Sequence, residues 1–146
     1  MLASVTRLRV RSFRFLPSFL YMTFLGRRQV VCAAGFLGGK LLVDRSQTYW
    51  TLTVWENESA MKAFRGAGDH GKAMKRLAQW CDEAAYARWE TVGDAIPSWS
   101  EAYGRLSAEG KLSRVEHPSE DHANKVFSEP RLSPEIGQNL KPKPTK

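Results

Sequence analysis

The sequence has few of the residues from which disulfide frameworks and metal centres are built. It contains 2 cysteines and 3 histidines in 146 residues, and no CxxC pair. A small domain held together by disulfides needs more cysteines than this. We therefore expect Cys32 and Cys81 to be free, buried thiols in a reducing cytoplasm. His117 and His122 lie among prolines and polar residues that give them no fixed position, so neither is a candidate metal ligand.

Long apolar segments are also missing. The most apolar stretch, Phe13 to Leu25, is interrupted by Arg14 and Pro17. It is shorter than the roughly 20 residues that a transmembrane helix needs. Arginines alternate with apolar residues before it and no small-residue cleavage site appears, so it does not have the pattern of a secretory signal. We expect no membrane insertion and a cytoplasmic protein.

Acidic residues are outnumbered, with 15 Asp and Glu against 22 Lys and Arg, which gives a formal net charge of +7. A basic balance is compatible with nucleic acid, an anionic surface, an acidic ligand or a plain solvated surface. RNA-recognition sheets carry exposed aromatics in a basic-Gly-aromatic run, which is absent here, so nucleic-acid binding is not favoured. P-loop, GxGxxG and GxSxG motifs are also absent.

Hydrophobic periodicity and turn residues predict the order of elements. Alternation of period two predicts a first strand in which Leu8 and Val10 face one side and three arginines face the other. Helix starts are predicted at Pro17 and after Asn57, Asp69 and Ser98, and a Gly-Ala-Gly sequence separates the second helix from the third. The predicted strands are 5–13, 36–43, 48–55 and 85–92; the predicted helices are 17–34, 58–64, 70–82 and 98–108.

These elements have the order β-α-β-β-α-β, followed by one further helix. This is the order of the ferredoxin-like α+β fold, a four-stranded antiparallel sheet with helices on one face. The other face of such a sheet needs a cover, and a second copy of the chain is the simplest one, so we predict a homodimer. From residue 113 the chain is rich in proline and nearly free of apolar residues, which predicts a flexible tail over 113–146 after a domain over 1–112.

The middle of the sequence resembles the antibiotic-biosynthesis-monooxygenase-like family of dimeric α+β barrel proteins. The resemblance covers about residues 3 to 92 and rests on Gly35-Phe36, Trp55-Glu56, the helix start at 59–61, and His70. It implies a dimeric α+β barrel and an oxygenase-like activity on a small hydrophobic aromatic or polyene substrate, either without a cofactor or with haem. A non-catalytic, ligand-binding or structural dimer of the same fold is the alternative, since fold does not fix function.

The haem-degrading branch of this superfamily is not matched at its catalytic positions. That branch has an asparagine on the first strand, a tryptophan nine residues after the strand-ending tryptophan, and a histidine ten residues further. Counted from Trp55, those positions hold Phe64 and Met74, and the first strand has no asparagine. The resemblance therefore does not imply haem degradation of that type.

His70 is the candidate catalytic residue. A position in the first turn of a helix disfavours imidazolium, so the ring is expected to be neutral near pH 7 and able to accept a proton, or to ligate iron if haem is bound. A histidine that only caps or packs the helix start is the other interpretation.

Two further sets of side chains are candidates for substrate binding. The first consists of Arg7, Arg9 and Arg11, which would bind a carboxylate, a phenolate or a haem propionate, or else pair with acidic residues across strands. The second consists of the aromatic residues Tyr49, Trp50 and Trp55, with Trp80 and Trp89 as further wall residues or core. Alternation places Tyr49 and Trp55 on one face of their strand and Trp50 on the other, and the sequence does not decide which face lines a cavity.

Overall fold

The structure is a computed structural model that describes residues 1–44, 46–131 and 138–144. The parts of the predicted tail at 132–137 and 145–146 lie outside these residues. The strands are β1 (Leu2–Val10), β2 (Phe36–Asp44), β3 (Thr48–Trp55), β4 (Cys81–Glu90), β5 (Lys111–Leu112) and β6 (Gln138–Leu140). The helices are α1 (Leu16–Val30), which follows a 3-10 turn, α2 (Glu58–Gly66), α3 (Gly68–Trp80), α4 (Trp99–Glu109) and α5 (Glu120–Ala123).

All strands form one antiparallel sheet in the order β5-β4-β1-β3-β2-β6. The four long strands have the predicted βαββαβ connection, with β1 in the middle. The described residues add two edge strands, so the sheet has six strands where the sequence predicts four. β5 and β6 are only two and three residues long. Strands this short are held by backbone hydrogen bonds and are too short to show an alternating apolar pattern.

The helix starts predicted after Asn57 and Ser98 are confirmed, whereas α1 ends at Val30 rather than at residue 34, and α3 spans Gly68–Trp80 rather than 70–82. The Asn57 side chain accepts a hydrogen bond from the Ala60 amide, and the Ser98 side chain accepts one from the Glu101 amide, as N-cap residues do. The helical conformation is interrupted between α2 and α3, where Gly66 and Gly68 flank Ala67. None of the described helices is both long and apolar enough to cross a membrane.

Both faces of the sheet are covered by the chain itself. Even-numbered residues of β1, such as Leu8 and Val10, pack with α1 and α3, whereas odd-numbered residues such as Val5 pack with α4. Helix α4 covers this second face because Ala102 and Leu106 point towards the sheet and are fully buried. The prediction of helices on one face is therefore corrected. The free face that suggested a second copy is occupied, and the homodimer stays a prediction.

The segment after α4, which composition predicts to be a flexible tail, lies against the sheet where the structure describes it. The Ser113 amide donates to the Ala84 carbonyl at 2.9 Å, and the Ala84 amide donates to Nδ1 of His122 at 3.3 Å. Phe127 joins the core cluster beneath α4 and is 9% exposed. Hydrogen bonds to β4 and one aromatic ring thus position a segment whose composition alone indicates no regular packing.

Arg7 and Glu83 form a buried ion pair on the sheet face that α4 covers. Arg7 Nη1 lies 2.6 Å from Glu83 Oε2, and their side chains are only 6% and 3% exposed. Arg9 Nη1 donates to Glu83 Oε1 at 3.1 Å, and the Ser119 hydroxyl donates to the same oxygen at 2.8 Å. Burial alone would raise the pKa of Glu83, but the hydrogen bonds from Arg7 and Ser119 and the two arginine charges together lower it.

Replacing Glu83 by Gln is expected to lower the free energy of unfolding by about 3 kcal/mol, because it leaves the buried Arg7 without its counter-charge. The matched control is Glu109→Gln, which breaks the half-exposed Arg105–Glu109 pair and is expected to change stability by less than about 1 kcal/mol. Urea denaturation at pH 7 measures both. Equal losses of unfolding free energy in Glu83→Gln and Glu109→Gln would contradict a stabilising, buried Arg7–Glu83 pair.

The pair also predicts sensitivity to acid. The native pKa of Glu83 lies below its ordinary value. The ionised carboxylate therefore contributes fully to the free energy of unfolding at any pH above the ordinary pKa. This contribution is lost as the pH falls through the lowered native pKa. The stability of the wild-type protein should therefore fall more steeply than that of Glu83→Gln on acidification from about pH 5. Urea denaturation at several pH values measures this. If the free energies of unfolding of the two proteins fell in parallel with pH, the prediction would be wrong.

Phe127→Ala tests whether the C-terminal segment is part of the packed domain. Loss of a ring packed in the α4 cluster is expected to lower the free energy of unfolding by about 3 kcal/mol. The neighbouring Val126 is 50% exposed, so Val126→Ala is the control and should change stability by less than about 0.5 kcal/mol. A Phe127→Ala protein as stable as the control would mean that the segment does not pack there.

Candidate ligand-binding site

A cavity of about 450 Å³ lies between the sheet and helices α1 and α3. Its volume falls within the range of small-molecule sites, roughly 300 to 1,000 Å³. Most of its wall is apolar, and the polar side chains among its lining are few. The main wall residues are Phe19, Met22, Thr23, Phe24 and Val30 from α1; His70, Ala73, Met74, Leu77 and Trp80 from α3; and Leu8, Leu41, Val43, Tyr49, Thr51 and Thr53 from the sheet.

Strand and helix periodicity explain which side chains line the cavity. In β3, Tyr49, Thr51 and Thr53 alternate onto the cavity face, which answers the question that the sequence left open. Trp50 also borders the cavity, but its ring packs in the α4 cluster on the opposite face. In α3, lining residues recur every three or four positions from His70 to Leu77, as one face of a helix requires.

His70 is the one histidine among the residues that line the cavity. Its Nδ1 lies 3.0 Å from the carbonyl oxygen of Arg65. Since a carbonyl only accepts, Nδ1 carries the proton, and the neutral ring has its lone pair on Nε2. Burial lowers the pKa of His70; the hydrogen bond to Arg65 opposes this, and the charge of Arg65 adds to it. The ring is therefore neutral near pH 7, as the sequence predicts, but mainly because it is buried.

Gln29 of α1 holds the start of α3 and with it His70. Its Oε1 accepts from the His70 backbone amide at 2.9 Å, and its Nε2 donates to the Ala67 carbonyl at 2.8 Å. Gly68 between them has a φ of +54°, and a Cβ there would lie 3.2 Å from the Gln29 oxygen, so glycine suits the position.

The predicted N-cap at Asp69 is wrong. Ala67 occupies the cap position, and its methyl side chain makes no cap bond; Gln29 supplies the missing acceptor from another helix. Sequence reasoning missed Gln29, since its contact spans 41 residues and belongs to no local motif.

Trp55 lies behind the cavity wall. Its ring stacks on Phe64 with centroids 5.2 Å apart, and Phe64 in turn contacts His70 at 4.5 Å. Trp55 Nε1 donates to the Thr53 hydroxyl at 2.9 Å. Phe64 and Thr53 therefore provide the wall surface near Trp55, and Trp55 supports them.

None of the three arginines predicted to bind substrate, Arg7, Arg9 and Arg11, lines the cavity. Arg7 and Arg9 lie on the opposite sheet face with Glu83, the cross-strand pairing that the sequence left open as an alternative. Arg11 follows β1; its Nε donates to the Gln79 carbonyl at 2.6 Å, and its guanidinium lies 4.5 Å from the centroid of the Phe15 ring. These contacts give each arginine a structural partner.

The haem-dependent alternative uses the β1 arginines for the propionates, and their position on the far sheet face does not fit that role. Among the described residues, no group of three His, Cys, Asp or Glu side chains could hold a metal ion. Both cysteines are free, Cys81 is buried with its pKa raised by burial to about 12, and Cys32 is exposed, so the expectation of two buried thiols holds for Cys81 alone.

The fold is shared with solved structures of antibiotic biosynthesis monooxygenases, which confirms the resemblance suggested by the sequence. A protein from Nitrosomonas europaea, proposed to be such an enzyme, is 12% identical with a TM-score of 0.56, and the match covers 64% of this chain and 100% of that one. A structure of SnoaB, a cofactor-independent oxygenase from Streptomyces nogalater, is 15% identical with a TM-score of 0.52, covering 66% and 97%. A protein from Caulobacter crescentus, also proposed to be an antibiotic biosynthesis monooxygenase, is 16% identical with a TM-score of 0.55. The match covers 63% of this chain and 90% of that one.

Fold and cavity together define an α+β protein with the antibiotic-biosynthesis-monooxygenase-like fold. Residues 35–121 match the profile of the family described as Domain of unknown function (DUF3291), and the chain belongs to that family. The matched segment reaches α5, beyond the predicted domain end at residue 112. A comparison with curated proteins gives no match.

His70 should titrate with a pKa below its ordinary value of 6.5, because burial disfavours its charged form. Proton NMR of the imidazole resonances measures this, with His70→Gln assigning the signal. By linkage, the neutral ring contributes stability above pH 6.5, and this contribution is lost as the pH falls through the lower native pKa. Wild type should thus lose more stability than His70→Gln between about pH 7.5 and pH 5; the opposite order would contradict a buried neutral ring.

Proposed function

We propose that the protein binds a small hydrophobic aromatic molecule in the cavity between the sheet, α1 and α3, and oxygenates it with molecular oxygen. The observation that carries this proposal is the single neutral His70 ring in a wall that is otherwise mostly apolar. Apolar walls favour an apolar ligand over water. On the order of 15 non-hydrogen atoms fit, taking the roughly 30 Å³ that one water occupies in the liquid as the unit of volume.

In the cofactor-free form of this reaction, the substrate itself supplies the electrons. His70 Nε2 takes a proton from an acidic C–H or O–H group and leaves an electron-rich anion. The anion reduces O2: one oxygen atom bonds to the substrate carbon, and the other leaves as water with the two hydrogens removed. A methylene between aromatic rings thus becomes a ketone, and four electrons pass from carbon to oxygen.

Two other features support this chemistry. The hydrogen bond from Nδ1 to the Arg65 carbonyl stabilises the imidazolium that forms when Nε2 accepts the proton. Burial raises the pKa of Tyr49 above its ordinary value, so its phenol stays protonated and is able to donate to a substrate oxygen. We assign Tyr49 to substrate binding and His70 to catalysis.

Anthrone is a suitable test substrate, because it is apolar, has an acidic methylene and contains 15 non-hydrogen atoms, close to the estimated capacity of roughly 15. The wild-type protein should consume one O2 per anthraquinone formed. His70→Ala should lower kcat by about 100-fold or more, the usual contribution of a general base, while anthrone still quenches the tryptophan fluorescence of the protein, since Trp80 lies in the cavity wall.

His117→Ala is the matched control, since His117 is exposed and does not line the cavity. Equal turnover by wild type and His70→Ala would contradict the catalytic role. Binding of anthrone without turnover in any variant would favour the non-catalytic ligand-binding protein. A Soret band in protein purified from a haem-sufficient host would point to the haem-dependent form.

A further inference from the structure

A basic depression of about 300 Å³ adjoins the apolar cavity. The two spaces share Phe24, Arg27 and Leu140 in their walls, so they lie side by side. The depression adds cationic side chains from two parts of the chain: Arg27 and Arg28 from the last turn of α1, and Lys141 and Lys143 from the segment after β6.

Specific contacts bring these two parts of the chain together. In β6, Leu140 pairs with Gly39 of β2, and its side chain is 3% exposed. Beyond it, the Lys143 amide donates to the Val31 carbonyl at the end of α1, at 2.8 Å. The C-terminal lysines are therefore fixed beside the arginines of α1 by backbone bonds on both sides.

The charge of this depression is strongly one-sided. Its described lining contains four cationic side chains and no acidic one. A helix C-terminus carries roughly half a negative charge, which favours the two arginines of the last turn. All four side chains are exposed to solvent, so they are accessible to an anion at the edge of the cavity.

An apolar cavity bordered by a cationic depression, the cationic mouth, matches an amphipathic anion. We propose that the ligand of the cavity carries a carboxylate or phosphate group, which Arg27, Arg28, Lys141 and Lys143 bind while its aromatic body lies beside His70. This inference rests on the proposed function and specifies the substrate class. Arginine is well suited to both groups because its planar fork binds their oxygens in pairs.

Matched probes separate the charge from the aromatic body. The first pair is 6-hydroxy-2-naphthoate and its methyl ester; the second is 2-naphthyl phosphate and 2-naphthol. Calorimetric titration of the wild-type protein should show each anion binding about tenfold more tightly than its neutral counterpart, with the difference shrinking as salt is added. Comparison of the two anions shows whether carboxylate or phosphate is preferred.

The double variant Arg28→Gln/Lys143→Gln should weaken anion binding about tenfold and leave the neutral probes unchanged. Lys72→Gln/Lys111→Gln removes the same net charge from two exposed positions away from the depression and should leave anion binding within about twofold of wild type. Near-UV circular dichroism checks that both variants fold.

The outcomes distinguish this inference from the function on which it rests. If the neutral probes bind and the anions bind no more tightly, the cationic mouth has no role and this inference alone is overturned. Equal losses in the two double variants overturn it too, because the effect is then one of net charge. If no probe binds, the cavity is not a ligand site, and both proposals fail.

Discussion

Arg7 and Glu83 form an ion pair near the centre of the sheet, with both side chains almost fully buried. Two charges that are removed from water persist only when they are paired and hydrogen-bonded. Glu83 therefore accepts from Arg7, Arg9 and the Ser119 hydroxyl. Because Ser119 lies in the segment after α4, the pair ties the C-terminal part of the chain to the same sheet face that α4 covers.

The two sheet faces consequently differ in character. One is closed by α4, Phe127 and the Glu83 cluster, and its core is tightly packed with Trp50 and Trp89. The other meets α1 and α3 across a cavity, and Gln29 fixes the junction from which α3 begins. Such support suits the catalytic role that we propose for His70, since a proton-accepting nitrogen must be held within hydrogen-bond reach of its substrate.

Local patterns account for the parts of the structure that the sequence predicted. The alternation in β1 and β3, the caps at Asn57 and Ser98, and the glycine break before α3 depend on neighbouring residues, so they are readable from a single chain. The place of His70 in the first turn of α3 follows from the same signals, whereas its neutral ring depends mainly on burial.

The rest depends on contacts between distant residues. Arg7 meets Glu83 across 76 positions, so nothing near Arg7 distinguishes a buried ion pair from a substrate-binding side chain. The packing of Phe127 and the pairing of β6 likewise arise in a segment with few apolar residues. The basic depression forms only because that segment returns to the end of α1, which no local pattern indicates.

A crystal structure of the protein soaked with 6-hydroxy-2-naphthoate is the decisive test of ligand binding in the cavity, because it locates the ligand without assuming an activity. We expect density for the naphthalene rings between β3, α1 and α3, within contact of His70, and the carboxylate directed towards Arg27 and Arg28. Density confined to another surface, or a cavity filled by its own side chains in the soaked crystal, would contradict this expectation.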